Sequence, residues 1–365
     1  PPYAGAMRRA LRGLGAGDGL FDGLPDAAVR PCSRTAKGNA DMGALPQLPE
    51  PPWVDWSLVR QGQAQWRKHL GPAAVALMCA LLQGFSIARF AEVLRHSGYS
   101  RSPEVALRRY RATAFWWVDW FCHPLDDPAS KARQGIYAVR GMHSFARRAS
   151  RHLFAAADGE GVPLSQYDMA EVQLGFSGVC LSVMELELGV PLSREDKRAM
   201  VHAWRLIGWH LGIADEFNVC ASLEDMESCF DDYMQWTPTR FATCREATHE
   251  LQLSMVRGFG TYVIFGQRYF EALLAASQGF RFSGVSYVRA RPLPGLVPAA
   301  RWLLSCCGRA PLRMALGWFL IDSRRRVARS PAADEWVVWH IWRRAALFND
   351  ACTWPLVSAA ARLLA

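Results

Sequence analysis

The sequence predicts an all-α protein, one large helical domain over residues 51–365 behind an irregular arm over residues 1–50. Three observations predict it. Apolar residues recur at helical spacing through most of the chain, sustained alternation of period two is scarce, and helix-start signals head several segments.

The arm is rich in Gly, Pro and small residues, and LPQLPEPPWVDW at 45–56 adds a cluster of prolines before a regular pattern begins. From Val59 to about Arg89 the spacing predicts two helices, then further helices over 87–96, 103–121, 128–155, 165–188 and 194–211. Ser102 before Pro103 offers an N-cap with proline in the first turn. Ser193, followed by Glu195 and Asp196, places acids where the unpaired amides and the positive dipole end lie. Past Asp215, helices are expected over 221–234, 238–256, 260–277, 297–306, 311–327 and 333–347. The segment FSGVSYVRARPLPGLVP at 282–298 is the clearest late break and reads as a long loop between helices. Neither an internal repeat nor a heptad run is evident, which argues against a solenoid and a long coiled coil.

Composition excludes several classes. With 51% apolar and 21% charged residues, the 365-residue chain has ample material for a core and is unlike a disordered segment. The runs GPAAVALMCALLQGFSIARF at 71–90 and APLRMALGWFLI at 310–321 are interrupted by Gln83 and Arg89 and by Arg313, so both read as buried helices and no transmembrane helix is expected. Attachment to a membrane surface through an apolar face stays open. The first residues carry no long apolar signal core and do not begin with methionine, which leaves an upstream targeting segment open. The expected location is intracellular, cytoplasmic or peripheral to an internal membrane. Ten cysteines include no CxxC pair, so they read as reduced, buried thiols. The net charge of +9, clustered at 101–111, 140–151 and 324–329, favours anionic partners, but no zinc-finger or RNA-sheet pattern accompanies it and no nucleic-acid partner is expected.

Two stretches carry candidate chemistry. In VRGMHSFARRASRHL at 139–153, helical spacing puts Arg140, His143, Arg147 and Arg151 on one face with Ser144 beside His143, while His152 points nearly opposite. His143 is flanked by apolar residues. Its imidazole can ligate iron or exchange protons near neutral pH, and a guanidinium can hold a bound anion or an acidic cofactor edge; a packed helix histidine is the plain alternative. In HAWRLIGWHLGIADEFNVC at 202–220, His202 and His210 lie eight residues apart, with Gly208 and Gly212 permitting close approach by a helix or a flat cofactor. Asp215, Glu216 and Asn218 then form a polar turn able to cap a helix or grip His and Arg side chains. A di-iron carboxylate site finds one Glu-x-x-His match, Glu246 to His249, and so lacks its second half. The signatures of zinc peptidases, α/β-hydrolases, P-loops, dinucleotide folds and calcium loops are missing. Phe115, Trp116, Trp117, Trp120 and Phe121 read as core, although so many aromatics would also suit an apolar ligand pocket.

Five segments, taken in order, carry a family resemblance: LLQGFSIARFAEVLRHSGYS at 81–100, ALRRYRATAFWWVDW at 106–120, VRGMHSF at 139–145, PLSQYDMAEVQLGFSG at 163–178 and HAWRLIGWHLGIADEFNVC at 202–220. Together they resemble the DUF2236 family, the catalytic domain of MpaB-type oxygenases and rubber oxygenases (latex-clearing proteins), and look closest to its animal members. The resemblance implies a globin-like helical core, a b-type haem, and oxygen-dependent attack on a small apolar or isoprenoid substrate, with molecular oxygen as co-substrate. It also implies site roles: Arg140, His143 and Ser144 match the distal arginine, the residue on the distal side of the iron and the hydroxyl residue after it, and Arg147 is a partner for a propionate. The proximal histidine is expected near Gln173, where this chain has no imidazole. Position 173 therefore leaves four readings: His143 is itself the axial ligand, His202 or His210 has taken the proximal place, the fold persists without haem as a non-catalytic binder of a lipid or terpenoid, or a different cofactor is held.

Overall fold

The computed structural model describes residues 48–153, 163–187, 190–243, 246–259, 280–282 and 287–289. Helices dominate them: α1 (Trp56–Lys68), α2 (Leu70–Gly84), α3 (Ala88–His96), α4 (Pro103–Cys122), α5 (Lys131–Ser150), α6 (Gln166–Leu174), α7 (Arg194–Leu211), α8 (Leu223–Thr243) and α9 (Glu246–Phe259). After Leu174 the chain stays helical but widens into π turns at Gly175–Val179 and Val183–Glu187, separated by Cys180–Ser182.

The ends are set by local chemistry that the sequence advertised. Ser102 accepts from the Val105 amide with Pro103 in the first turn, which satisfies one of the helix's orphan donors. Ser165 with Asp168, and Ser193 with Asp196, close reciprocal capping boxes at the heads of α6 and α7. Gly212 ends α7 at φ +98°, a left-handed conformation that glycine enters without a Cβ penalty.

Two expectations are corrected. The break expected before Pro238 is not there: α8 runs to Thr243. A single proline removes one amide donor, and a helix held by its neighbours tolerates that loss. Within the segment expected to be only a loop between helices, Phe280–Phe282 and Tyr287–Arg289 pair as a short antiparallel ladder, with Phe280 opposite Arg289. The helices expected over 260–277, 297–306, 311–327 and 333–347 lie outside the described residues.

α1 and α7 form the most extensive helix pair, α4 and α5 pack against it, and α9 packs on α3 and α4. Gly62 makes the pair possible, since a Cβ there would overlap the Ala199 carbonyl. Between α1, α4 and α7 sits the aromatic core: Trp66 stacks on Phe121 with centroids 5.3 Å apart and meets Trp204 edge-on at 6.4 Å. Trp117 closes on Phe121 at 5.1 Å. Each aromatic ring buries a large area and gains further from edge-to-face geometry. The aromatic run at 115–121 is thus core. Among the described residues no single helix is long and apolar enough to cross a membrane.

Candidate functional site

α5 turns Arg133, Arg140 and Arg147 inward. Arg133, Ile136, Arg140, Ser144 and Arg147, spaced three or four apart, are buried, while Met142 and Phe145 face solvent at 51% and 68% exposure. A buried guanidinium needs acceptors, and the fold supplies chain-end carbonyls. Arg147 donates through Nε and Nη2 to the Leu164 carbonyl at 3.0 and 2.7 Å. Arg140 donates to the His210 carbonyl at 3.4 Å. That carbonyl belongs to the last turn of α7, where helix carbonyls lack intrahelical donors and the dipole is negative.

His143 is the half-buried imidazole of this helix. Its Nδ1 is enclosed and has no hydrogen-bond partner. Burial, then the charges of Arg147 and Arg109, hold its pKa down at about 4, so the ring is neutral and keeps a lone pair at pH 7. Ser144, next along, accepts from Arg148 Nη1 at 2.7 Å on its own helix.

Gln173 lies on α6 and is committed to α7. Its Nε2 donates to the Trp204 carbonyl and to Asn218 Oδ1, both at 2.9 Å. Gly208 leaves room for that amide, which a Cβ there would overlap. Asn218 in turn donates to the Arg205 carbonyl at 2.9 Å and accepts from the Cys220 amide at 3.1 Å. The polar turn expected after Gly212 does grip an arginine: Asp215 pairs with Arg205 at 2.8 Å.

The two histidines of α7 differ. His202 Nε2 accepts from the Asp55 amide at 3.1 Å, and its ring meets Trp53 edge-on at 5.7 Å. Burial, then Arg205, lowers its pKa, with Asp55 pulling the other way. His210 is fully buried with neither ring nitrogen hydrogen-bonded. Burial, then Arg133 and Arg140, lowers its pKa to about 3. Of the residues singled out in the sequence, the fold therefore brings Arg140 to His210. No hydrogen bond or ion pair joins His143 to Gln173, His202 or His210. Arg133, Tyr137 and Glu50, which also meet His210, were missed. The spacing 133, 137, 140 on one helical face was the available signal.

A small apolar cavity lies beside the first π turn, lined by Leu81, Gly84, Ile87, Phe90, Glu171 and Phe176 among others. Its volume, about 20 Å³, suits one water. π turns are frequent at functional sites because they re-aim side chains. Among the described residues no group of three or more His, Cys, Asp or Glu side chains could hold a metal ion.

Fold and site together define an all-helical domain in which the buried His210 imidazole stands beside buried guanidiniums. The chain belongs to the family described as ER-bound oxygenase mpaB/B'/Rubber oxygenase, catalytic domain, whose model matches residues 64–346. Among solved structures it is similar to "Structure of Latex Clearing Protein LCP in the closed state", at 18% identity and a TM-score of 0.52, over 82% of this chain and 76% of that one. A search of curated proteins finds no match. The structural likeness shows the fold.

Proposed function

We propose that this oxygenase-family domain is a haem-dependent oxidoreductase acting on a small hydrophobic or isoprenoid substrate, with His143 as its protein ligand to iron. The observation that carries the reading is His143 Nδ1, a neutral imidazole nitrogen enclosed without a hydrogen-bond partner. Neutral imidazole is the usual protein ligand of haem iron. The donor chemistry of α5 fits haem in this respect, and Gln173 does not, since an amide is a poor ligand and this one is already bonded twice. Haem, when bound, supplies oxygen activation. The chain would supply the imidazole of His143 as the ligand, and Arg140 and Arg147 would be its buried cations for an acidic cofactor edge.

The test is to supply haem during expression and record the absorption spectrum and the iron content. A Soret band with stoichiometric iron is expected, and His143→Ala should abolish both while the far-ultraviolet circular dichroism of the fold persists. A well-folded protein free of iron would overturn the reading.

A second reading, a helical binder of lipid or terpenoid without haem, is favoured by the double commitment of Gln173 to Trp204 and Asn218. Recovery of an apolar ligand from iron-free protein would select it.

A further inference from the structure

We infer that Arg133, Tyr137, Arg140 and His210 build a carboxylate-binding site that the chain plugs with its own Glu50. The inference shares Arg140 with the haem reading and otherwise rests on side chains which that reading does not use, and its test needs no haem.

Residues 48–55 lie across the outer side of α7 as a strap. Trp209 Nε1 donates to the Pro49 carbonyl at 3.0 Å, Trp53 packs on Trp209 and His202, and Arg205 lies 3.8 Å over the Trp53 ring. Between these holds, Glu50 reaches inward. Its Oε1 pairs with Arg133 Nη1 at 2.8 Å, and its Oε2 stands 3.7 Å from His210 Nε2.

The receiving groups form one connected set on α5 and α7. Arg133 donates from Nη2 to the Tyr137 hydroxyl at 3.0 Å and from Nη1 to the Leu125 carbonyl at 2.9 Å. Arg140 lies 5.4 Å over the Tyr137 ring, and Tyr137 meets His210 edge-on at 5.9 Å. Both arginines are nearly inaccessible, 2% and 3% exposed, whereas the Glu50 side chain is 42% exposed.

Three features point to a binding site and not merely a structural ion pair. Donor capacity exceeds what Glu50 takes up: Arg133 Nε and the one N–H of the neutral His210 ring are buried without hydrogen-bond partners. Buried, preplaced guanidiniums are the preferred recognition groups for a carboxylate. The only acid that the described ion pairs bring to Arg133 arrives on the strap, at a solvent-open mouth, from a segment preceding the family-matched region that begins at residue 64. An intramolecular ligand on a short tether acts at an effective concentration of the order of millimolar. A free carboxylate can therefore compete with it, and does so better once the plug is gone. The aromatic rings of Trp53 and Trp209 at the mouth fit a carboxylate carried on an apolar tail.

The experiment compares the full-length protein with Glu50→Ala and with Glu50→Gln, which keeps the side chain's shape. Thermal unfolding and ligand-observed NMR are followed as acetate, butyrate and octanoate are titrated at constant ionic strength against chloride. Glu50→Ala and Glu50→Gln should unfold at lower temperature and recover saturably with carboxylate. Their apparent affinity should exceed the unsubstituted protein's by roughly tenfold or more, because the site no longer pays for plug release. Affinity rising from acetate to octanoate identifies a tailed carboxylate, and equal affinity a bare one. A response to carboxylate no larger than to chloride in both variants, by both measurements, overturns the inference, as does equal affinity in variants and unsubstituted protein.

Discussion

A single amide decides how much of the implied haem chemistry position 173 can carry. Gln173 is wedged against Gly208 and bonded to Trp204 and Asn218. Gly208→Ala should force the amide out and destabilise the protein by about 1–3 kcal/mol, the usual cost of overpacking, measurable by urea unfolding. The sequence made Gln173 conspicuous as a missing histidine, but its bond to Asn218 crosses 45 positions and no local pattern announces it. His143 was legible from helical spacing. The enclosure of its Nδ1 was not, because it depends on neighbouring elements. Both His143 and His210 bind protons less readily folded than unfolded. The unfolded chain therefore takes up more protons between their unfolded pKa near 6.5 and their folded values of about 4 and 3. Stability from these groups is complete above that window and is lost as pH falls through it. His143→Leu should flatten the decline of melting temperature between pH 7 and 4.5 relative to the unsubstituted protein. An unchanged slope would remove the buried-imidazole account.

Helix ends were the most legible elements, since a cap is written in adjacent residues. Ser102, Ser165 and Ser193 all cap as their neighbours require. Ser193→Ala should cost about 1 kcal/mol by chemical denaturation. Ser193→Asp should restore most of it, because a carboxylate also caps and favours the positive dipole end. The π turns after Leu174 were not legible: an added residue per turn leaves the apolar content of a helix unchanged while rotating every later residue about the axis. Nor was the direction of α5. A row of arginines at helical spacing reads as a solvated face, and the fold buries Arg133, Arg140 and Arg147 because the Leu125, His210 and Leu164 carbonyls await them. The apolar residues of the same helix, Met142 and Phe145, are left outside.

At the scale of the molecule, the all-helical class followed from periodicity, whereas the packing of α1 on α7 through Gly62 and Ala199 spans 137 positions of sequence and had no local signature. Met142 and Phe145, three apart on the outer side of α5, are exposed, as are Arg148 and Arg151 further along the same chain segment. We propose that this face meets an anionic membrane surface. Apolar residues would enter the interface and the arginines would meet the headgroups. Cosedimentation should then be stronger with phosphatidylserine vesicles than with neutral ones and fall as salt rises. Met142→Ser with Phe145→Ser should weaken it severalfold, and equal binding to both vesicle types would sink the proposal.

The strap alters where this domain ends. Family likeness begins at residue 64, inside α1, eight residues after Trp56. A protein expressed from that position would start in the middle of a helix, without the Asp55 cap, the buried Val59 or the close seat of Gly62 on Ala199. It would also strip Trp209 and His202 of their cover. Such a fragment should aggregate or melt early where one beginning at Leu48 stays folded. The family-matched region begins inside α1, so the packing of the helical domain extends upstream of it.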